Sequence, residues 1–175
     1  MYYRVLYSNE YAKKKGKFGI VDIREGSIDE GYLEGNGREF DDKLFEGVSL
    51  IFEGQSLADF QMTYFPWRLV SQKMYSLLMD FVDLAEVKFV PVPVYKDDQM
   101  HPYYYMHFVK KFDVLDRVKT GSTLMHPKLD LKKVKPGLNV FCYTDFDAGI
   151  FCISEKVKQK LEANSITGCE FQNIS

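Results

Sequence analysis

Apolar residues crowd YYRVLYS, rich in Tyr and Val, at the start of the chain and FGIVDI further on, with the polar, lysine-rich KKKGKF between them as a solvated turn. Short runs of this composition bounded by a turn predict strands in both places. VSLIFEG reads as a further strand and DFQMTYF as another. From Arg24 to Gly47 the pattern lapses: REGSIDEGYLEGNGREFDDKLFEG is rich in glycine and acid and poor in apolar residues, so it reads as an irregular connection.

The pattern changes period at FPWRLVSQKMYSLLMDF, Phe65 to Phe81. Met74, Leu77, Leu78, Phe81, Val82 and Ala85 recur every three or four positions, which predicts a helix over about 71–85 with one apolar stripe. Ser71 is placed to cap it, its hydroxyl accepting from an unpaired amide of the first turn. Pro66 keeps Phe65 extended. Trp67, the one tryptophan in the chain, therefore lies where an extended segment bends into the helix. A large ring there buries well and sets the helix angle, so Trp67 reads as a structural joint.

Beyond it, VKFVPVPVY has Pro91 and Pro93 two residues apart, both removing amide donors from the same side, which predicts an edge or bulged strand. KDDQMHP is a loop, and YYYMHFVKKFDVLD returns as the partner of a hairpin. LDLKKVKPG reads as a short strand and NVFCYTDF as a longer one. ISEKVKQKLEAN is a second helix over about 154–163, with Ser154 as cap, Val157 and Leu161 inward, and Asn164 closing it in a left-handed conformation. ITGCEFQNI ends the chain as a turn and a last strand. LVSQKMYSLL and CISEKVKQKL echo one another, which shared capping chemistry explains. The whole predicts one α+β domain over residues 1–175, a mostly antiparallel sheet packed by the two helices. Met74, Leu77, Leu78, Phe81, Val157 and Leu161 should be buried on it.

Composition narrows the classes. Of 175 residues, 46% are hydrophobic, a core-forming chain rather than a disordered one. A formal net charge of −2 supplies no basic field for nucleic acid, although KKK at 13–15, KK at 110–111 and KLDLKKVK at 128–135 are local basic strips. No apolar run is long enough to predict a membrane span, and the N-terminal segment lacks the pattern of a secretory signal. Cys142, Cys152 and Cys169 are odd in number and suggest reduced thiols. Together these predict a cytoplasmic protein.

Catalytic chemistry finds little to stand on. His101, His107 and His126 have no partners at metal-ligand spacing, and no metal or cofactor is predicted. Ser71 and Ser154 sit in no nucleophile elbow. Cys142 and Cys152 lie in apolar surroundings that make thiols inert. GYLEGNG lacks the lysine and helix of a phosphate loop. The acids are more suggestive: Asp97 and Asp98 share one loop, and Asp145 and Asp147 stand two apart after a strand, the spacing of an acid–base couple on one face. A small enzyme or nucleotide-binding module built on Asp145 and Asp147 is thus one reading, and an RNA-associated protein using the basic strips another.

Four stretches in order carry a resemblance: WRLVSQKMYSLL, VKFVPVPV with the strand after it, FDVLDRVKTGST, and ISEKVKQKLEANSITGCEF. They span about Asp59 to Phe171 and resemble a family of small bacterial immunity proteins found beside polymorphic toxins, named after a Myxococcus immunity protein. The resemblance implies neutralisation of a cognate toxin by binding, without catalysis, and brings no catalytic residue with it. The expected partner is the toxin encoded nearby. Its expected contacts are Asp97, Asp98, Asp145 and Asp147, or an added strand beside Tyr103 and Tyr105.

Overall fold

The computed structural model describes residues 1–9, 18–26, 42–121, 126–144 and 150–175. In chain order the strands are β1 (Tyr2–Tyr7), β2 (Ile20–Glu25), β3 (Ser49–Glu53), β4 (Phe60–Gln61), β5 (Leu69–Ser71), β6 (Val87–Lys96), β7 (Gln99–Phe108), β8 (Lys111–Phe112), β9 (Val140–Tyr143), β10 (Phe151–Ser154) and β11 (Cys169–Asn173). The helices are α1 (Gln72–Leu78), α2 (Arg117–Thr120) and α3 (Glu155–Ala163). The α+β class is as the sequence predicts, but the strands form two sheets. One runs β11-β1-β10-β9-β8 and the other β2-β3-β6-β7-β5-β4. Pairing is antiparallel except at β3–β6 and β8–β9.

Among the described residues, three main apolar layers separate and flank the sheets, with a smaller cluster around Phe18 and Ala58 beside them. The central layer joins Tyr3, Val5, Phe151 and Ile153 of the first sheet to Phe60, Val70 and Met106 of the second. Met74 and Leu78 of α1, with Val157 and Leu161 of α3, complete it. Tyr7 stacks on Phe60 with centroids 4.5 Å apart, and Phe151 meets Phe60 edge-on at 5.6 Å. On the far side of the first sheet, Phe141, Tyr143 and Cys152 pack under the excursion that carries Phe112, Leu115 and Leu129. On the far side of the second, Trp67, Leu69, Val92 and Tyr105 pack with Phe45. β9 and β10 are buried on both faces, which is why VFCY and FCIS read as unbroken apolar runs rather than alternating ones.

Several local expectations change. α1 ends at Leu78 and not near 85, although Phe81 and Val82 still pack against the central layer. Asp80 and Asp83 follow directly. Carboxylates are unfavourable at the negative end of a helix, and the Asp83 carboxylate accepts instead from the Ala85 amide at 2.9 Å. Both helices are entered straight from short strands, β5 and β10, so each echoing serine is the last residue of a strand. Asn164 is not left-handed (φ −98°); Ser165 is (φ 52°). The Ile166 amide donates to the Leu161 carbonyl at 3.1 Å and Ser165 to Glu162 at 2.9 Å. That is a Schellman closure with serine in glycine's usual place. LDLKKVKPG forms turns rather than a strand, held by an isolated bridge between Leu115 and Leu129 and by the Leu129 amide donating to the Ile174 carbonyl at 2.8 Å.

β6 is not an edge strand, because it lies between β3 and β7. Pro93 stands directly opposite Pro102 of β7, and Pro91 opposite Tyr104. A pair of facing prolines exchanges no hydrogen bonds, so these positions turn their missing amides away from β7. On that other side, among the described residues, β3 pairs only with Val94 and Tyr95. The prolines therefore sit where the strand has no ladder partner among the described residues, although its end is interior.

Candidate partner-binding surface

Trp67 is buried against Phe65, Phe45 and Tyr105, at centroid distances of 4.3, 5.3 and 5.5 Å. Its carbonyl accepts from the Tyr7 hydroxyl at 2.8 Å, which ties the first sheet to the bend. Ser71 accepts from the Met74 amide at 3.2 Å and donates to Asp59 at 2.7 Å. Asp59 also accepts from the Thr167 amide and hydroxyl, at 3.0 and 2.9 Å. The start of α1, the end of β4's approach and the lead into β11 thus share one carboxylate. Ser154 differs: it occupies the cap position but its hydroxyl donates to Asn139 at 2.9 Å and caps nothing.

Among the described residues, those with candidate chemistry do not gather. Asp97 and Asp98 form the two-residue turn of the β6–β7 hairpin, both exposed and both left-handed, with φ 50° and 58°. This is the backbone of a type I′ turn, which favours glycine at its second position. Asp98 is 96% exposed and lies 3.9 Å from Arg24. The Arg24 guanidinium sits over the Tyr95 ring at 4.6 Å. Asp145 and Asp147 lie outside the described residues. Tyr103 and Tyr105 do not offer a docking edge: β7 is interior, between β6 and β5, and both side chains are buried. The Tyr103 hydroxyl donates to the Ala58 carbonyl at 2.7 Å, and burial raises its pKa. They belong to the core because inward positions of β7 face the Trp67 layer.

The thiols are inert by placement. Cys142 and Cys152 are buried. Burial pushes the Cys152 thiol well above its ordinary range, and Cys169 up to about 12. Among the described residues no three His, Cys, Asp or Glu side chains come together as a metal-binding group. No described helix is long and apolar enough to cross a membrane.

What sequence reading passed over is a surface row. Asp22, Ile51, Tyr95 and Met100 are cross-strand neighbours on β2, β3, β6 and β7. Directly opposed residues share a face, and this is the face that α1 and the first sheet cover farther along, at Phe89, Val70 and Met106. Here it is open: Ile51 is 39% and Met100 57% exposed. The signal was the triplet Leu50-Ile51-Phe52, which places apolar residues on both faces of β3 rather than one.

A sheet-dominated α+β protein, with Asp97 and Asp98 at an exposed hairpin turn and no metal-binding cluster of acids among the described residues, is the class this structure defines. A family model described as an immunity protein family, Imm11, matches residues 9–175, nearly the whole chain. The chain belongs to the Imm11 immunity protein family. The match reaches into the N-terminal third, which the four resembling stretches left uncovered. A comparison with curated proteins found no match.

Proposed function

We propose that this chain protects a bacterial cell by binding a cognate toxin in the cytoplasm, as a single domain, with no cofactor and no turnover. The observation that carries the reading is the Imm11 family match over residues 9–175. The partner is the toxin encoded beside the gene. Asp97 and Asp98, at the exposed tip of a long hairpin, and Asp145 and Asp147 contribute acidic contacts that suit a toxin with a basic cleft. Matched charge of this kind speeds association and rejects wrong partners. A carboxylate desolvated against Arg or Lys is worth about 2–5 kcal/mol when removed, mostly through the off-rate.

Co-expression with the neighbouring toxin gene tests this. Growth should be rescued only when the protein is at least equimolar with toxin, and the two should co-purify at fixed stoichiometry. Rescue by a small fraction of an equivalent would point to turnover and overturn the binding reading. A toxin-free gene neighbourhood with no rescue would remove the immunity reading altogether.

A further inference from the structure

The open half of the second sheet is a shelf with a defined chemistry. Ile51, Tyr95 and Met100 run across β3, β6 and β7, and Pro93 with Pro102 forms the next facing pair on the same side. Side chains two residues apart along a strand share a face, so the shelf continues to Pro91, which is exposed. It stops at α1, where Tyr75 stacks on Tyr104 with centroids 4.1 Å apart and meets Phe89 edge-on. Prolines, a methionine and an aromatic ring supply apolar area on a backbone already fixed by the hairpin ladder, so little entropy remains to be lost on binding.

The rim is acidic. Asp22 lies beside Ile51, and Glu53 stands two residues along β3 on the same face; both are exposed. Asp97 and Asp98 close the hairpin end. Arg24 lies among them, held over Tyr95 and near Asp98. Two copies of the chain laid shelf to shelf would bring these carboxylates together, because a two-fold interface repeats the same patch on both sides. An apolar centre within an acidic rim instead suits a partner whose apolar patch is ringed by Lys or Arg.

We propose that this shelf is where the toxin docks, and that the toxin meets it with an apolar patch bordered by basic side chains. The proposal rests on the immunity reading above and adds the surface and the chemistry of its occupant. The test uses the protein encoded by the neighbouring toxin gene, carrying a substitution that abolishes its activity, and measures binding to the full chain. The double substitution Ile51→Lys, Met100→Lys should weaken binding at least 100-fold while changing the melting temperature little, since Met100 is 57% and Ile51 39% exposed and a lysine stem can lie along the sheet with its charge in solvent. Asp22→Asn with Asp97→Asn and Asp98→Asn should slow association about tenfold at low salt and little at high salt. Should the lysine pair lower the melting temperature, Ile51→Thr with Met100→Ser replaces it, and a loss of about tenfold or more in affinity is then required. Wild-type binding with either double variant within twofold of it would overturn the shelf while leaving the immunity reading intact. Wild-type failure to bind would overturn both. Conversion of a dimer to a monomer by the lysine pair, with toxin affinity unchanged, would assign the shelf to a second copy and likewise overturn the proposal.

Discussion

Ser71 and Ser154 look interchangeable as residues, each ahead of an amphipathic helix, yet they do different work. Ser71 accepts from Met74 and donates to Asp59, which in turn holds Thr167. Ser71→Ala should therefore cost about 1–2 kcal/mol, losing a cap and leaving the half-buried Asp59 one donor short. Ser154→Ala removes one bond to a half-exposed Asn139 and no cap. Its cost should fall below about 1 kcal/mol. Urea unfolding of the two variants checks the order, and equal losses would show that the Asp59 node carries no extra weight. Ser165 is the complementary case. A left-handed serine closing α3 is strained relative to glycine, so Ser165→Gly should raise the urea midpoint, by about 0.5–1 kcal/mol of stability.

Among the elements, the β6–β7 hairpin shows how local strain and exposed charge combine. Two left-handed aspartates make its turn where an Asp-Gly pair would be less strained. The ion pair to Arg24 is long and its Asp98 end is almost fully exposed, so it offsets little of that strain. Asp98→Gly should stabilise the protein by about 0.5–1 kcal/mol. On the proposed function it should also slow association with the toxin. A thermal melt and a binding trace on one variant read both effects, and a variant that is less stable would show that Asp98 holds the turn by more than backbone strain. The same hairpin explains the misread edge. Paired prolines demand a place without ladder partners, but β6 is long enough for one end to be interior and the other free.

For the whole molecule, three apolar layers hold acids that must stay neutral. Burial raises the pKa of Tyr7 and Tyr103, pushes Tyr143 from 10.0 to about 12, and lifts Cys169 from 9.0 to about 12. Cys152 shifts the same way. For a group whose folded pKa lies above its unfolded value, the stabilisation is whole below the unfolded pKa and is lost as pH rises toward the folded one. Stability should thus begin to fall near pH 9, where unfolded thiols ionise, and fall more steeply above pH 10 as the tyrosines join. Urea midpoints measured from pH 7 to 11 check this. A midpoint constant to pH 11 would mean that these hydroxyls and thiols ionise in place.

The sequence by itself determined the α+β class, the hairpin, the Ser71 cap and the inward stripe of α3, because each depends on neighbours within a few residues. The four stretches that resemble an immunity protein family are likewise carried by the sequence alone. Tertiary structure decided the rest. Whether the strands make one sheet or two depends on β1, at residues 2–7, pairing with β10 and β11 some 150 residues later, and no local pattern encodes so distant a partner. Tyr103 and Tyr105 read as surface candidates until β5 covered their strand's edge and Trp67 their inner face. Ile51 and Met100 read as ordinary strand residues, and only the end of α1's coverage leaves them partly exposed. Exposure is a property of what packs on a residue, and that is set by the whole chain.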